Sequence, residues 1–333
     1  MIRVGIAGFG KIGQLRASIL SEFKDVEIIG VFDPKKPVIN DYKYYRSFEE
    51  LLSLDLDAIF ICAFNTVLAE YTTKALERGL HVFCEKPPAM RVEELVSVDE
   101  ALRSSGKHLK YGFNHRYHYS VIEAKKRIDS GQMGKLLWMR GAYGKAGSID
   151  YDKNWRNYKE YSGGGILIDQ GIHMLDLMRY LSGETFRNIT GFKTTSYWNI
   201  QVEDNAFVLM QSNNNVIASL HSSATQWRHK FLLELCFEEG YINLDGILSG
   251  TRSYAPETLV IGRREFEDVT YAMGKPKESI ISFENDHSWN LEIEEFLEAI
   301  KGDGLIQQGT LDDARETLAM VQRVYDNTEN TSK

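Results

Sequence analysis

The chain has 333 residues, a net charge of −8, and 43% apolar and 26% charged residues, so it is long enough for two domains with a sizeable core. The acidic balance argues against nucleic acid or an anionic membrane as the main partner. No apolar run has membrane-spanning length and no signal peptide precedes the first strand, which predicts a cytoplasmic protein without a membrane partner. Cys62, Cys84 and Cys236 lack metal-ligand spacing, so we predict no metal site.

The first part of the chain alternates between strand and helix patterns. Short apolar runs predict strands at 3–7, 26–32, 58–62, 80–84 and 108–112. Periodic or capped runs predict helices at 12–23, 47–52, 71–78 and 92–104. Strands that alternate with helices form a parallel, doubly wound sheet. We therefore predict an α/β domain over residues 1–115.

The remaining residues, 116–333, have a different pattern, with strands at 136–143, 189–197, 206–211, 216–222 and 231–237 and few helices between them. The asparagine cluster at 213–215 predicts a hairpin turn. This pattern indicates an α+β domain with a large, mostly antiparallel sheet. Helices predicted at 291–300 and 311–325 are expected to pack back on the first domain.

A glycine-rich segment directly follows the first strand: Gly8, Phe9, Gly10, Lys11, Ile12 and Gly13. In this Gly-x-Gly-x-x-Gly pattern the first glycine allows a tight turn, and the second lets the backbone approach a pyrophosphate. The third allows close helix–strand packing, and the pyrophosphate lies at the helix N-terminus. The position of the motif between a strand and a helix predicts a dinucleotide site, with a purely structural turn as the alternative.

Asp33 ends the second strand, twenty residues after Gly13. At this position an acidic side chain hydrogen-bonds the adenosine ribose hydroxyls, and its charge repels a 2′-phosphate, which favours NAD. Lys35 and Lys36 follow at once and offset that repulsion, so NADP remains an alternative. Asp33 is also a residue type that begins an Asp-Pro turn.

Glu85 and Lys86 directly follow the strand predicted at 80–84 and precede two prolines. Ligands of open α/β sheets bind at the carboxyl ends of the strands. An ammonium group at this end can hydrogen-bond a substrate hydroxyl and polarise a carbonyl oxygen, with Glu85 fixing or tuning it. A surface Lys–Glu pair of little energetic value is the alternative.

Three glycines, at 163–165, precede a helix that is apolar on most faces. Asp169, His173, Asp176 and Tyr180 fall at steps of four, three and four, which predicts one polar stripe on this helix. Histidine is the natural group to exchange a proton near neutral pH. Asp169, one turn away, can orient His173 or accept a hydrogen bond from a substrate hydroxyl. A hydrogen-bonded core histidine with surface carboxylates is the alternative.

Together these elements resemble the Gfo/Idh/MocA family (glucose–fructose oxidoreductase, inositol dehydrogenase and relatives). The resemblance rests on the order and spacing of five motifs: Gly8-x-Gly10-x-x-Gly13, Glu85-Lys86-Pro87, Gly112-Phe113-Asn114-x-Arg116, Trp155-Arg156, and Gly163-Gly164-Gly165 followed by Asp169-x-x-x-His173. It implies a Rossmann domain, an open-faced sheet domain commonly used for dimer or tetramer contacts, and NAD(P)-dependent oxidation or reduction of a sugar or cyclitol hydroxyl. It also implies a catalytic trio of Lys86, Asp169 and His173, with His173 as the general base in oxidation.

Two further segments are suited to substrate binding. Asn114, Arg116 and Tyr117 lie in a run of polar and aromatic residues suited to a sugar. Trp155 and Arg156 end a segment that resembles a substrate loop, and Arg156 is suited to a phosphate or carboxylate, or to ordinary packing on the tryptophan. The segment 63–68 departs from the Thr-Pro-Asn-x-x-His pattern frequent in the family, which weakens transfer of detail for that loop.

The primary hypothesis is therefore a cytoplasmic, homodimeric or homotetrameric NAD-dependent dehydrogenase or reductase. Its substrate is a sugar, cyclitol or nucleotide-sugar, and the hydride moves to or from nicotinamide C4. Two other functions stay open: a glycoside hydrolase that retains NAD, and a non-catalytic NAD-binding sensor.

Overall fold

The structure is a computed structural model that describes residues 1–35, 41–265, 270 and 274–330, without the side chains of 328–330. Lys36, used above as an argument for NADP, lies outside the described residues. The chain divides into two units. The first comprises Met1–Asn114, Glu160–Gly163 and Trp289–Ala319, and the second comprises His115–Lys159, Gly164–Ser288 and Met320–Lys333.

The first unit contains a six-stranded sheet in which every neighbouring pair is parallel. Its strands are β1 Ile2–Ala7, β2 Val26–Phe32, β3 Tyr44–Tyr45, β4 Ala58–Ile61, β5 His81–Glu85 and β6 Leu109–Gly112. They lie in the order β3-β2-β1-β4-β5-β6. The order reverses at β1, so the sheet is doubly wound, and the predicted fold class is confirmed for this part of the chain.

Nine α-helices occur in the described part of the chain: α1 Lys11–Leu20, α2 Phe48–Leu52, α3 Asn65–Glu77, α4 Leu95–Ser105, α5 Tyr119–Asp129, α6 Lys159–Ser162, α7 Ile172–Ser182, α8 Ser288–Lys301 and α9 Leu311–Asn330. The predicted cap of α2 is present, since the Ser47 hydroxyl accepts a hydrogen bond from the Glu50 backbone N–H. The helix predicted at 71–78 begins six residues earlier, at Asn65. Its N-cap is Phe64, whose side chain caps nothing, so the usual start signal is missing.

Buried charges lie within the core of the first unit. Arg16 is fully buried, with its guanidinium over the ring of Phe83 at 4.3 Å and over that of Trp289 at 4.4 Å. It donates hydrogen bonds to Glu85, at 2.8 Å, and to Glu292, at 2.7 Å. One guanidinium therefore donates hydrogen bonds to two carboxylates in a buried site. Because both carboxylates are buried beside this guanidinium and the charge of Glu85 opposes that of Glu292, one of the two is costly to ionise.

Glu292 is the carboxylate whose ionisation is penalised. Burial raises its pKa from 4.5 to about 7, against the opposing effect of Arg16. Because the pKa of Glu292 is raised in the folded protein, folding favours the protonated form of this side chain. The stabilisation that results is complete below pH 4.5 and is lost as the pH rises towards 7, at up to about 1.4 kcal/mol per pH unit. We expect Glu292→Gln to flatten this loss in urea unfolding measured from pH 4.5 to 8. Glu298→Gln, at an exposed position of the same helix, should leave the pH profile of the wild type unchanged.

The second unit contains an eight-stranded mixed sheet. Its strands are β7 Leu136–Gly144, β8 Phe186–Thr194, β9 Asn205–Ser212, β10 Ile217–Ser223, β11 Lys230–Phe237, β12 Gly240–Asp245, β13 Glu257–Arg263 and β14 Glu278–Phe283. They lie in the order β14-β13-β12-β11-β7-β10-β9-β8. Among the described strand pairs of this second sheet only β7–β10 is parallel, so the predicted large, mostly antiparallel sheet is confirmed. The asparagine cluster at 213–215 joins β9 to β10 as predicted.

Three strands and one helix of this unit were not predicted. β14 is exposed or half-buried along its whole length, so it lacks the alternation of apolar and polar residues that marks a strand. β12 and β13 have glycine or glutamate among their buried residues, and the interior side of α5 consists of Ser120, Val121 and Ala124. Small or polar residues on a buried face give a weak periodic signal.

Candidate active site

The glycine-rich segment turns at the carboxyl end of β1. Gly8 has φ +90°, and a Cβ there would lie 2.3 Å from the Cys62 carbonyl oxygen, while a Cβ on Gly13 would lie 2.0 Å from the Gly8 carbonyl oxygen. A Cβ on Gly10 would meet no atom within 4 Å. The first and third glycines are therefore required by contacts within the protein, and the second faces open space at the N-terminus of α1. That space is what a dinucleotide pyrophosphate requires, so this segment fits NAD.

The contrast between these glycines predicts a selective loss of cofactor binding. We expect Gly10→Ala to keep the thermal stability of the wild type, because its Cβ meets no protein atom. It should weaken NAD binding at least about tenfold, because the methyl group occupies the space of the pyrophosphate. Calorimetric titration with NAD measures this effect. Gly250→Ala, which is equally unobstructed in the second unit, is the control. Unchanged NAD affinity in Gly10→Ala would overturn the assignment.

Asp33 directly follows β2 and connects it to the glycine segment by a hydrogen bond. One carboxylate oxygen accepts a hydrogen bond from the Phe9 backbone N–H at 2.7 Å, and the other accepts one from the Lys35 N–H at 2.9 Å. The second bond is the predicted Asp-Pro turn. A carboxylate has about four acceptor positions, so these two bonds leave capacity for ribose hydroxyls. The turn and the ribose contact are therefore compatible roles.

Lys86 follows β5 and is half-buried, and the peptide bond from Lys86 to Pro87 is cis. Glu85, which the sequence analysis assigned to fixing or tuning Lys86, is 8% exposed and is bonded to Arg16. Lys86, the glycine segment, Asp33 and Asn114 all follow strands of the same parallel sheet. They therefore lie along its carboxyl edge, where such sheets bind ligands.

The glycines at 163–165 lead into a π-helical turn of the second unit, Leu167–Gly171, which continues as α7. A buried carboxylate, Glu203, holds the start of this turn by accepting hydrogen bonds from the backbone N–H groups of Gly165 and Leu167. The Tyr325 hydroxyl donates to the same carboxylate. A Cβ on Gly165 would lie 2.1 Å from the Glu203 carbonyl oxygen. Gly165 is therefore required for the close approach that positions the helix.

His173 is 6% exposed on α7. Its ring stacks on that of His115, with centroids 3.9 Å apart and an interplanar angle of 13°. The His115 Nε2 atom is 2.9 Å from the Tyr143 hydroxyl. Burial raises the pKa of Tyr143 well above its ordinary value, so this hydroxyl is neutral. His115 and Tyr143, which fix the plane of the His173 ring from other elements of the chain, were not predicted from the sequence.

Asp169 lies between two cations. Its carboxylate accepts hydrogen bonds from Lys145 Nζ at 2.8 Å and from Arg156 Nε at 3.0 Å. The Arg156 guanidinium also lies over the ring of Trp155, at 4.5 Å, so the predicted packing of this pair is present together with the ion pair. Two cationic side chains, Lys145 and Arg156, therefore lie at this carboxylate. Lys145 was not predicted, although it follows β7 as Lys86 follows β5.

The predicted polar stripe is divided between two sets of partners. Asp176 is fully buried, and both of its carboxylate oxygens accept hydrogen bonds from Arg116, at 2.6 and 2.8 Å. Arg116 is 3% exposed and also lies over the ring of Tyr180, at 4.8 Å. Arg116 and Tyr117, both predicted to bind substrate, are thus buried side chains. Asp169 and Asp176 have separate arginine partners.

Among the described residues, no helix combines the length and apolar composition needed to cross a membrane. In the same part of the chain, no group of three or more histidine, cysteine or acidic side chains is arranged to hold a metal ion.

Comparison with known proteins identifies the family. The profile of an oxidoreductase family with an NAD-binding Rossmann fold matches residues 2–113, and the GFO/IDH/MocA C-terminal domain profile matches residues 121–243. The chain belongs to the Gfo/Idh/MocA oxidoreductase family. Its first part is an NAD-binding Rossmann domain, and the protein is an enzyme of the oxidoreductase class.

Family members of known function are among its relatives. D-glucoside 3-dehydrogenase of Escherichia coli K12 is 29% identical over 261 residues, which are 71% of this chain and 74% of that protein. Inositol 2-dehydrogenase of Salmonella typhimurium LT2 is 25% identical over 285 residues, which are 80% and 82% of the two chains. Among solved structures, the WlbA dehydrogenase of Bordetella pertussis, in complex with NADH and UDP-GlcNAcA, has a TM-score of 0.83 and 18% identity. That comparison covers 99% of this chain and 97% of the other, and it shows a shared fold.

Proposed function

We propose that this protein is an NAD-dependent dehydrogenase or reductase that acts on a hydroxyl or keto group of a cyclic sugar or a related polyol. The observation that carries the proposal is His173, a buried imidazole held in one plane by His115 and flanked along its helix by a charged carboxylate, Asp169. Relatives named for oxidation of a glucoside and of inositol support this substrate class.

NAD held at the glycine segment and Asp33 would supply the hydride acceptor or donor for this reaction, at nicotinamide C4. In the direction of oxidation, we assign the removal of the hydroxyl proton to His173, which returns this proton during reduction. Imidazole is suited to this role because its pKa lies near neutral pH, so both the proton-accepting and the proton-donating forms are available. The parallel stack with His115 keeps the ring plane fixed, which reduces the reorganisation needed before proton transfer.

We assign Lys86 to binding the substrate oxygen that is a hydroxyl before oxidation and a carbonyl oxygen after it. An ammonium group stabilises the negative charge that develops on this oxygen as its proton leaves or as hydride arrives. Its position directly after β5, at the carboxyl edge of the NAD-binding sheet, supports this role. Asn114, which follows β6 at the same edge, is proposed to bind substrate.

Asp169 and its two cations are suited to polyol binding. A carboxylate accepts hydrogen bonds from hydroxyl groups, while Lys145 and Arg156 donate to hydroxyl oxygens. Both cations also fix the carboxylate in place. We therefore assign Asp169 to the orientation of the substrate hydroxyls, with Lys145 and Arg156 as positioning residues. Asp33 supports NAD over NADP, since its carboxylate repels a 2′-phosphate.

Absorbance at 340 nm of the full-length protein tests the proposal, with NAD and then NADP, against free sugars, inositols, glycosides and nucleotide-sugars. A sustained, substrate-dependent rise supports a dehydrogenase, and a fall with a keto-sugar and NADH supports the reductive direction. Glycoside cleavage with retained NAD and no net change at 340 nm would point to the hydrolase. Bound NAD without any turnover would point to a sensor. The predicted homo-oligomer and cytoplasmic location remain predictions, and the oligomer is measured by solution mass.

A further inference from the structure

Three aromatic side chains form a cluster near Asp169 in the second unit, here called the aromatic platform: Tyr197, Trp198 and Trp227. The Tyr197 ring lies 5.1 Å from that of Trp198 and 4.9 Å from that of Trp227. Tyr197 is 64% exposed and Trp227 is 60% exposed, so two large ring faces are open to solvent. Neither ring has a role in the chemistry proposed above.

The segment that carries Tyr197 and Trp198 is fixed in place. The buried carboxylate of Asp204 accepts hydrogen bonds from the backbone N–H groups of Ser196, Tyr197 and Trp198, at 2.8 to 3.0 Å. Burial opposes the ionisation of Asp204, but these bonds outweigh it and hold the pKa of its carboxyl below the ordinary value. The Trp198 indole N–H donates to the Ala224 carbonyl at 2.8 Å. Two of the three platform residues, Tyr197 and Trp198, are therefore carried by a preorganised segment, which lowers the entropic cost of binding a ring.

A continuous series of contacts links the platform to Asp169. Trp198 packs against Tyr151, with ring centroids 4.9 Å apart, and Lys145 Nζ lies 5.5 Å from the centre of the Tyr151 ring. Lys145 in turn donates to Asp169. A Cβ on Gly147 would lie 2.4 Å from the Trp198 ring, so this glycine is what allows the loop after β7 to pass so close to the platform.

We propose that the aromatic platform is a stacking subsite for the nucleobase of a nucleotide-linked sugar. The inference rests on the proposed function, because it names the class of substrate that the enzyme oxidises or reduces. Exposed, rigid aromatic rings bind bases by stacking, whatever the base sequence or identity. A free monosaccharide at Asp169 would leave the platform without a function.

Charge favours a nucleotide over an uncharged second ring. Lys145 and Arg156 both pair with Asp169, so two cationic side chains lie where the series of contacts from the platform ends. Arg228, adjacent to Trp227, is exposed as well. A diphosphate linker is the chemical group that matches cations on the path between a sugar and a base. An alkyl or aryl glycoside would supply the ring but not the negative charge.

Calorimetric titration of uridine diphosphate into the full-length protein, saturated with NAD to occupy the dinucleotide site, tests this subsite. We expect binding in the wild type, a loss of about 5- to 150-fold in affinity in Trp227→Ala, and recovery in Trp227→Phe. Phe192→Ala removes a ring of 77% exposure from β8 and is the control with unchanged affinity. Because Trp227 and Phe192 are both exposed, neither change should impair folding.

Three results would overturn the subsite: no binding of uridine diphosphate, equal affinity in Trp227→Ala, or a preference for aryl glucosides over uridine diphosphate. A change of solution mass in Trp227→Ala with unchanged nucleotide affinity would also overturn it, by assigning the platform to contacts with a second copy of this chain. The proposed function is tested separately. If uridine diphosphate binds at Trp227 but no sugar substrate changes the absorbance at 340 nm, the subsite stands and the redox assignment fails.

Discussion

Replacing His173 by glutamine is expected to lower kcat by roughly 10²- to 10⁴-fold, the usual contribution of a positioned general acid or base. Glutamine keeps hydrogen-bonding capacity but cannot exchange a proton. NAD affinity should stay near that of the wild type, because the contacts assigned to NAD are made by the glycine segment and Asp33 and not by His173. Steady-state kinetics at 340 nm and calorimetric titration with NAD measure the two quantities on the same preparation.

The control for His173→Gln is the same change at His221. The His221 ring stacks on that of Phe207 at 3.9 Å and bonds to Asn205, on strands of the same sheet. We expect His221→Gln to keep the turnover of the wild type. A parallel loss of turnover and of NAD affinity in His173→Gln would contradict the assignment of a proton-transfer role, since it would indicate general damage to the protein. A pH profile that loses its ionisation near neutral pH would support the assignment.

Replacing Asp176 by asparagine is expected to destabilise the protein by about 3–5 kcal/mol, as is typical when one partner of a buried ion pair is removed. Arg116 would keep its charge at a position where it is 3% exposed, with one bidentate partner gone. Urea unfolding followed by circular dichroism measures the loss. The effect should be far larger than that of removing an exposed pair, such as Arg103 with Asp99 on α4.

The double variant Arg116→Met with Asp176→Leu separates a structural role from substrate binding. Replacing a buried ion pair by apolar groups of similar volume is often neutral or stabilising, so we expect the double variant to recover most of the lost stability. Substrate KM in the stable double variant then reports whether Arg116 contacts substrate, as the sequence analysis predicted. Wild-type stability of Asp176→Asn would show that the pair contributes little.

The parts of the fold that local patterns encode were predictable. The glycine segment, the capped α2 and the turn at 213–215 are each specified by a few adjacent residues, and the strands of the parallel sheet are short apolar runs. β14 was missed because no face of it is buried, and the start of α3 because Phe64 gives no capping signal. In both places the secondary structure depends on the tertiary structure and is not specified by the local sequence.

The sequence indicated which residues are candidates for the site, but it did not indicate which residues they pair with. Glu85 was expected to act on its neighbour Lys86, whereas its hydrogen-bond partner Arg16 lies 69 positions away. Asp169 was expected to act with His173, and its cations, Lys145 and Arg156, lie on other segments. The π-helical turn at 167–171 also changes the phase that ideal helical steps assume. Pairings across long sequence separations leave no periodic signal in one chain.

The placement of α8 has a consequence for the order in which the protein is synthesised. The apolar core of the Rossmann sheet includes Ile293, Phe296 and Leu297 of α8 together with residues of β1 and α1. A ribosome completes β1 to β6 about 180 codons before it reaches these three residues. During that interval the nascent sheet lacks part of its apolar cover, and the buried Arg16 lacks Glu292. The first unit therefore completes its core only after most of the second unit has been translated, and until then it exposes apolar surface of the kind that promotes aggregation.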